Sequence, residues 1–419
     1  MSKFIEDLKW RGLIYTISDM EKMEQLLKGQ IKVYLGVDPT ADSMHIGHLV
    51  QAILLRRFQE YGHIPVSLMG TGTGRIGDPS GKKAERILLD YETIDYNAKK
   101  IEEQMRHILV NDVDNAPLFL DNAAWGVNIS MFEFLRDYGK YFNINTMLAK
   151  DIVANRLETG ISFTEFSYSI LQAIDWLVMY EEHGVNMQIG GSDQWGNFTA
   201  GLDLIRKKNP EAMCVGLVSP LVTKADGTKF GKTETGTIWL DPLKTSPYEF
   251  YQFFLNTADA DVINYLKIFT LLPKEDIISL EDSLVKEPHL RLAQKTLAKE
   301  LTSLIHSPAE YERALQISKA LFSGDIKSLT IEEINNTFKG VNELNIASNK
   351  EINVIDFLVD STICKSKREA REFVNNNSIT INGDIINDVN TLIKQEEAFN
   401  QEVNIVRKGK KKYFKVVYQ

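Results

Sequence analysis

Short apolar runs alternate with longer stretches of helical period through the first half of the chain, the pattern that a parallel α/β sheet requires. Residues 31–36, 64–69, 185–189 and 215–222 predict strands, and 46–60, 94–109 and 164–182 predict helices. From 247 to 306 the pattern turns wholly helical, with Leu297, Leu301 and Leu304 at i, i+4 and i+7. Residues 323–349 are polar and Asn-rich with weak periodicity, which reads as a linker with some local order. Beyond 350, helix and strand signals return, and Ser378-Ile379-Thr380-Ile381 runs into an Asn382-Gly383 turn. The predicted organisation is an α/β domain over 1–223, a Lys-rich loop over 224–246, a helical domain over 247–322, the linker over 323–349 and a small α+β domain over 350–419. No fixed-period repeat is present.

Composition narrows the class. A chain of 419 residues is longer than one hydrophobic core usually serves, and 43% apolar with 25% charged residues fits a soluble globular protein. The first ten residues mix charge with apolar positions and resemble no signal peptide, and no run reaches membrane-spanning length. Cys214 and Cys364 are the two cysteines and lie far apart, which supports neither a disulfide framework nor a thiolate zinc site. These features predict a cytoplasmic protein with no membrane partner and no metal held by the chain itself. The net charge of -9 argues against a uniformly basic surface, but residues 350–419 carry 12 Lys and Arg against 10 Asp and Glu, a balance of +2. The C-terminal segment is the relatively basic part.

The chemistry concentrates where strands end. The strand over 31–36 runs through Val37-Asp38-Pro39-Thr40 into His45-Ile46-Gly47-His48 at a helix start. Unpaired amides and the positive end of the helix dipole suit a phosphate there, and two histidines three apart share one side of the first turn. Taken alone, the pair is better explained as helix caps; the strand and loop before it turn the reading toward a ligand. The strand over 64–69 leads into Gly70-Thr71-Gly72-Thr73-Gly74-Arg75-Ile76-Gly77-Asp78-Pro79-Ser80-Gly81-Lys82. Gly72, Gly74 and Gly77 match the dinucleotide fingerprint, on which a nicotinamide dehydrogenase would rest, but Asp78-Pro79 continues as a turn where a helix should open. A phosphate-loop ATPase fails on spacing and on Lys83, which stands where Ser or Thr is needed. On the helix over 164–182, Tyr168, Gln172 and Asp175 form one polar stripe among apolar neighbours, either a pocket wall or a solvated face. Lys229-Phe230-Gly231-Lys232-Thr233 sits in a glycine-containing loop that suits closure over polyphosphate, or is an ordinary solvated loop.

Together these motifs resemble the class I aminoacyl-tRNA synthetases, and the likeness to the bacterial tyrosyl branch covers nearly the whole chain. His45-Ile46-Gly47-His48 resembles the first class signature and Lys229-Phe230-Gly231-Lys232-Thr233 a variant of the second. Tyr34, the Asp78 turn, the Tyr168, Gln172 and Asp175 helix and Gly190-Gly191-Ser192-Asp193-Gln194 carry the tyrosyl character. The resemblance implies a Rossmann-like catalytic domain, then a helical domain on the anticodon side and a small α+β RNA-binding domain. It implies a homodimer that joins L-tyrosine to tRNA(Tyr) at the expense of ATP, with Mg²⁺ accompanying the nucleotide and no organic cofactor.

Carried over by position, the resemblance puts Tyr34 and Asp175 on the substrate phenol. Asp78, Tyr168 and Gln172 would hold its ammonium, Gln194 would lie near its carboxylate, and Asn122 would belong to the same site. Gly36, Asp38, Gly47, His48, Gly191 and Asp193 would surround adenosine. Thr40, His45, Lys82, Arg86, Lys229, Lys232 and Thr233 would meet the departing pyrophosphate. Leu35 departs from the family, whose members often carry Cys or another small residue beside the ribose; an apolar side chain donates no hydrogen bond there, so ATP affinity is the property affected. Residues 355–390 resemble a small RNA-binding fold shared with a ribosomal protein. Lys365, Lys367, Arg368, Arg371, Arg407, Lys408, Lys410, Lys411 and Lys412 would grip tRNA phosphates, although Glu369 and Glu372 keep a merely solvated basic face open. A tryptophanyl relative is the nearest enzymatic alternative, and the Tyr34 and Asp175 pair speaks against it. A non-catalytic RNA-binding protein would leave the histidines and loop lysines without a purpose.

Overall fold

The computed structural model describes all residues except 1, 81–87, 155, 158–159, 226, 228–229, 234–235, 324–325, 339–342, 349 and 410–411. The chain forms two compact units, residues 1–244 with 254–305, and residues 245–253 with 306–419. The helical stretch predicted over 247–322 is thus divided between them.

The first unit is built on six strands, β1 (Thr16–Ile17), β2 (Lys32–Val37), β3 (Ile64–Met69), β4 (Leu118–Asp121), β5 (Val185–Gly191) and β6 (Val215–Ser219). Their order is β1-β6-β5-β2-β3-β4, parallel throughout except for the antiparallel edge strand β1. Val33, Tyr34, Leu35, Val66 and Leu68 are all buried, as the strands of a sheet covered on both faces must be. The strand predicted over 215–222 stops at Ser219 because Pro220, lacking an N–H, cannot continue a ladder. Strand order reverses between β2 and β5, and in such sheets the crevice outside the carboxyl ends at that point is where ligands bind.

The helices over these strands start where a capping side chain allows. Helix α1 (Ile46–Glu60) keeps its predicted limits. Helix α2 (Tyr91–Ile108) begins three residues before its predicted start because Asp90 accepts the Thr93 amide at 2.8 Å. Helix α3 (Phe163–His183) is capped by Ser162 and stopped by Gly184, whose φ of 66° is the left-handed end that glycine adopts cheaply. Helix α4 (Trp195–Lys208) packs against it, with Gly201 allowing the Trp176 ring to approach: a Cβ there would lie 2.8 Å from Cε3. Helices α5 (Asp259–Phe269), α6 (Lys274–Lys286) and α7 (Leu292–Ile305) complete this unit. Arg11 and Arg57, both buried, donate to the Lys267 carbonyl at the end of α5, Arg11 also to Leu272 O and Arg57 to Thr270 O. Two cations at a helix C-terminus complement its dipole, and Asp7 offsets their mutual repulsion from 2.9 and 3.9 Å. Burial first, and then the neighbouring Arg11, push the Arg57 guanidinium down to about 9.

In the second unit, strands β9 (Glu343–Ile346), β11 (Ile379–Ile381), β12 (Asp384–Ile386), β14 (Val403–Lys408) and β15 (Lys412–Tyr418) form a sheet ordered β12-β11-β14-β15-β9, while β10 (Glu351–Asn353) pairs with β13 (Leu392–Lys394). Asn382 and Gly383, at φ 49° and 92°, make the two-residue turn between β11 and β12 that the Asn-Gly signal predicts. Val406, Phe414 and Val416 pack with helices α10 (Val354–Asp360) and α11 (Lys367–Asn375). On another cluster, Val403 and Ile405 pack with Ile317 and Ala320 of α8 (Pro308–Ser323) and Ile334 of α9 (Ile331–Thr337). Residues predicted as linker therefore supply α9 and the edge strand β9, which pairs in parallel with β15.

Candidate active site

The carboxyl ends of β2 and β5, the start of α1 and the inner face of α3 enclose a cleft of about 440 Å³. Tyr34, Gly36, Asp38, Thr40, His45, Gly47, His48, Asp78, Asn122, Tyr168, Gln172, Asp175, Gly191, Asp193 and Gln194 all line it. Leu35 lines it too. The sequence-predicted candidates for the amino acid and for the nucleotide thus gather in one place. Lys82, Arg86 and Lys229 lie outside the described residues, as do Lys410 and Lys411. Lys232 and Thr233 are placed through their backbone, which forms strand β7 (Lys232–Thr233) paired with β8 (Gly236–Thr237).

The deepest part of the cleft is carboxylate chemistry in a dry wall. Asp175 is buried and accepts from Trp125 Nε1 at 2.8 Å and from Asn122 Nδ2 at 2.9 Å. Burial nevertheless outweighs these two donors and lifts its carboxyl to about 7, with Asp38 and Asp121 adding to the rise. The Tyr34 hydroxyl, on the same cleft, is buried without a hydrogen-bond partner, and its pKa stands well above the usual phenol value through burial and then the Asp175 charge. A donor and an acceptor thus line the same buried part of the cleft, and the Tyr34 hydroxyl is unsatisfied.

This arrangement has a stability consequence. Asp175 ionises near its ordinary value of 3.8 when unfolded and near 7 when folded, so its contribution to stability is fully present below about pH 4 and is lost as pH rises through 7. Asp175→Asn is therefore expected to raise the stability of the ligand-free protein at pH 8 relative to wild type, by up to about 4 kcal/mol from the three-unit difference. Thermal melts of both proteins from pH 4 to 8 check it. Parallel melting curves across that range would contradict a buried, high-pKa Asp175.

Nearer the mouth, Asp38 accepts from Tyr168 Oη at 2.8 Å and Thr73 Oγ1 at 2.7 Å. Asp78 accepts from the Ser80 amide at 2.9 Å and Gln194 Nε2 at 2.6 Å, and Asn197 donates to Gln194 Oε1 at 3.1 Å. Burial, and then Asp78, raise the Asp193 carboxyl. The stripe of Tyr168 and Asp175 is buried, so the solvated-face reading of α3 does not hold. At the start of α1, both open readings of the histidines meet. His45 Nδ1 accepts the Gly47 amide at 3.0 Å and His48 Nδ1 accepts the His45 amide at 3.3 Å, with the rings stacked at 3.9 Å. They cap the helix, and acceptance at Nδ1 puts the proton of a neutral ring on Nε2, which makes that nitrogen the donor. A Cβ on Gly47 would lie 2.8 Å from the His45 ring, so glycine is what lets the ring fold back.

Three contributors were not legible in the sequence. Trp125, Thr73 and Asn197 hold Asp175, Asp38 and Gln194 by side-chain hydrogen bonds whose partners are 50, 35 and 3 residues away. The signal that marks them is spatial, not periodic.

On the second unit, Lys365, Lys367, Arg368 and Arg371 are exposed at the start of α11. Lys367 pairs with Asp356 at 2.6 Å. Lys408 is bound to Glu369 at 2.8 Å and to the Ile363 carbonyl, and it lies over the Phe373 ring, so it is held within the domain more than it is presented.

A doubly wound parallel sheet with a histidine-capped helix at its switch point, His45 of which pairs with Trp239 of the 224–246 segment, defines the catalytic unit of a class I aminoacyl-tRNA synthetase, an enzyme class that uses ATP. Residues 26–323 match the family model described as tRNA synthetases class I (W and Y), and residues 333–416 match the one described as Tyrosine--tRNA ligase SYY-like C-terminal domain. A tyrosine--tRNA ligase of Listeria welshimeri is 53% identical over 417 residues, 99% of either chain. Two solved C-terminally truncated mitochondrial tyrosyl-tRNA synthetases are similar in structure. That of Coccidioides posadasii has TM-score 0.67 at 32% identity, over 75% of this chain and 92% of that one. That of Aspergillus nidulans has TM-score 0.68 at 31%, over 77% and 95%. The chain belongs to the tyrosine--tRNA ligase family.

Proposed function

We propose that the cleft activates L-tyrosine with ATP to tyrosyl-adenylate and pyrophosphate, and that the chain then transfers tyrosine to the 3′ end of tRNA(Tyr). The observation that carries this is the buried, unpartnered Tyr34 hydroxyl beside a carboxylate already oriented by Asn122 and Trp125. A phenol satisfies both at once, donating to Asp175 and accepting from Tyr34; a phenyl ring satisfies neither, and an indole, a donor only, leaves Tyr34 unsatisfied.

In this reading Asp78, Tyr168 and Gln172 take the substrate ammonium, with Gln194, steered by Asp78 and Asn197, beside the carboxylate. Asp38 lies between the two substrates, since Tyr168 and Thr73 hold it. Gly36, Gly47, His48, Gly191 and Asp193 accommodate adenosine. The tyrosine carboxylate attacks the α-phosphorus and pyrophosphate leaves, so no side chain becomes a nucleophile. Alignment of the two reactants and donors placed where charge develops supply the acceleration. Those donors are Thr40, His45 through Nε2, Lys82, Arg86, Lys229, Lys232 and Thr233. ATP enters as its Mg²⁺ complex, so the cation belongs to the substrate. A terminal ribose hydroxyl of tRNA then attacks the adenylate carbonyl.

Gly36 offers a local test. A Cβ there would meet nothing nearer than Leu68 Cδ2 at 3.9 Å, so the protein's own packing does not require glycine, whereas a nucleotide lying on the strand end would. Gly36→Ala is expected to fold normally, to bind tyrosine as wild type does, and to raise the KM for ATP about tenfold. An unchanged KM for ATP would place the nucleotide elsewhere.

A homodimer is part of the proposal. Exposed apolar side chains concentrate between residues 127 and 163, with Phe132 at 77% and Phe163 at 72% exposure, more than a lone soluble surface usually tolerates in one region. A cytoplasmic location is supported by the two buried, unoxidised cysteines.

A further inference from the structure

We propose that Gln104 is a positioning residue for adenylate formation, acting through a clamp on Ser43 and Met44 that fixes His45 and the stem of the Lys-rich loop together. This rests on the reading above, in which His45 and that loop serve the ATP end.

Gln104 lies on α2 and does not line the cleft. Its Oε1 accepts the Met44 amide at 2.8 Å and its Nε2 donates to Ser43 Oγ at 2.9 Å. Ser43 is buried, and its hydroxyl is fully used: it donates to the Met44 carbonyl at 2.8 Å and accepts the Asp241 amide at 3.1 Å. Residues 238–241, which follow β8 directly, run antiparallel to residues 43–46. Leu240 N donates to Met44 O at 2.9 Å, Ile46 N donates to Ile238 O at 3.1 Å, and His45 pairs with Trp239. Lys244 closes the strap with an ion pair to Asp42 and stands over the Trp239 ring. Within the loop, Gly231 at φ 87° sits so close to Ile46 that a Cβ would come within 2.8 Å of Cγ1.

The two chemical segments are therefore one mechanical piece, paired through their backbones and anchored to α2 by the Gln104 carboxamide. The Met44 amide donates to Gln104, and Gln104 donates to the Ser43 hydroxyl that also accepts the Asp241 amide, so the carboxamide ties the segment before His45 and the strap beyond β8 to α2 at once. Losing Gln104 releases the paired segments from α2, so that His45 can shift with them, without touching the tyrosine half of the cleft. Displacements of about 1 Å at a reacting group cost on the order of a hundredfold in rate.

The test is tyrosine-dependent exchange of pyrophosphate into ATP, with equilibrium binding of L-tyrosine, on the full chain as wild type, Gln104→Leu, Gln104→Glu, Ser43→Ala, His45→Ala and the double variant Gln104→Leu/His45→Ala. Gln104→Leu is expected to lower kcat about 10- to 100-fold with tyrosine affinity unchanged. It should add less loss when His45 is already Ala, because the clamp then has only the loop stem left to position. Gln104→Glu, which retains the acceptor for Met44, should recover part of the rate. Ser43→Ala carries the same expectation by a smaller truncation, should Gln104→Leu not fold. A wild-type kcat in Gln104→Leu, a loss that multiplies fully with that of His45→Ala, or a fall in tyrosine affinity overturns the clamp. Should wild type fail to exchange, or His45→Ala exchange normally, the fault lies instead with the reading of the site.

Discussion

Asp175→Ala is expected to lower kcat/KM for tyrosine in pyrophosphate exchange about 1000-fold. The substitution removes a charge-assisted hydrogen bond to the substrate phenol and strands two donors, the half-buried Trp125 Nε1 and the buried Asn122 Nδ2, that point at Asp175 from 2.8 and 2.9 Å. Together these losses amount to about 4 kcal/mol. Tyr34→Phe should act far more gently, about five- to tenfold, because Asp175 still accepts the phenol and only a neutral contact is lost. The same substitution removes the unpartnered buried hydroxyl, so ligand-free Tyr34→Phe should be more stable than wild type even as its preference for tyrosine over phenylalanine weakens. Exchange kinetics with tyrosine and with phenylalanine, beside thermal melts, separate these effects. If Asp175→Ala retained wild-type exchange, the carboxylate would have no part in reading the phenol.

Replacing Lys365, Lys367, Arg368 and Arg371 together by Ala is expected to lower kcat/KM for tRNA charging about 100-fold while tyrosine-dependent exchange stays at the wild-type value. All four are exposed on or just before α11, and the Lys367 pair with Asp356 is a surface ion pair, cheap to exchange for a phosphate. Each phosphate contact releases bound cations, so the steepness with which charging weakens in salt should fall by about 3 on the logarithmic slope. Lys408→Ala should behave otherwise. Its ammonium is already engaged with Glu369, the Ile363 carbonyl and the Phe373 face, so its loss should reduce the stability of the C-terminal domain more than tRNA affinity. Charging of the quadruple variant at the wild-type rate, with an unchanged salt slope, would move the RNA surface to another face.

What the sequence discloses follows from how local the signal is. Helix α1 keeps both predicted limits because its ends are written in adjacent residues, the histidine pair at one end and the Tyr61-Gly62 break at the other. The β11–β12 turn is equally local, since Asn-Gly suits two positive φ values in succession. The polar stripe of α3 was ambiguous on periodicity alone, because a helix that buries a functional carboxylate and one that shows it to water have the same spacing. Packing against α4 and the sheet decides the matter. Trp125 and Thr73 stayed hidden because their partners Asp175 and Asp38 lie 50 and 35 residues away on other elements, and Asn197, three residues from Gln194, carries no period that sets it apart from an ordinary helix position. Residues 323–349 looked like linker because α9 buries only one face of two turns and β9 is four residues long; neither gives a period strong enough to see, and both owe their order to the sheet they pack on.

The function of the cleft is decided most directly by which amino acid its buried Tyr34 and Asp175 accept. Amino-acid-dependent exchange of pyrophosphate into ATP, run with each of the twenty amino acids on the full chain, measures that in one experiment. Tyrosine is expected to support exchange, with phenylalanine and tryptophan far below it, because neither offers a hydroxyl to Asp175 and Tyr34. Exchange supported equally by phenylalanine or tryptophan, or by none of the twenty, would contradict the assignment of Tyr34 and Asp175 to a phenol.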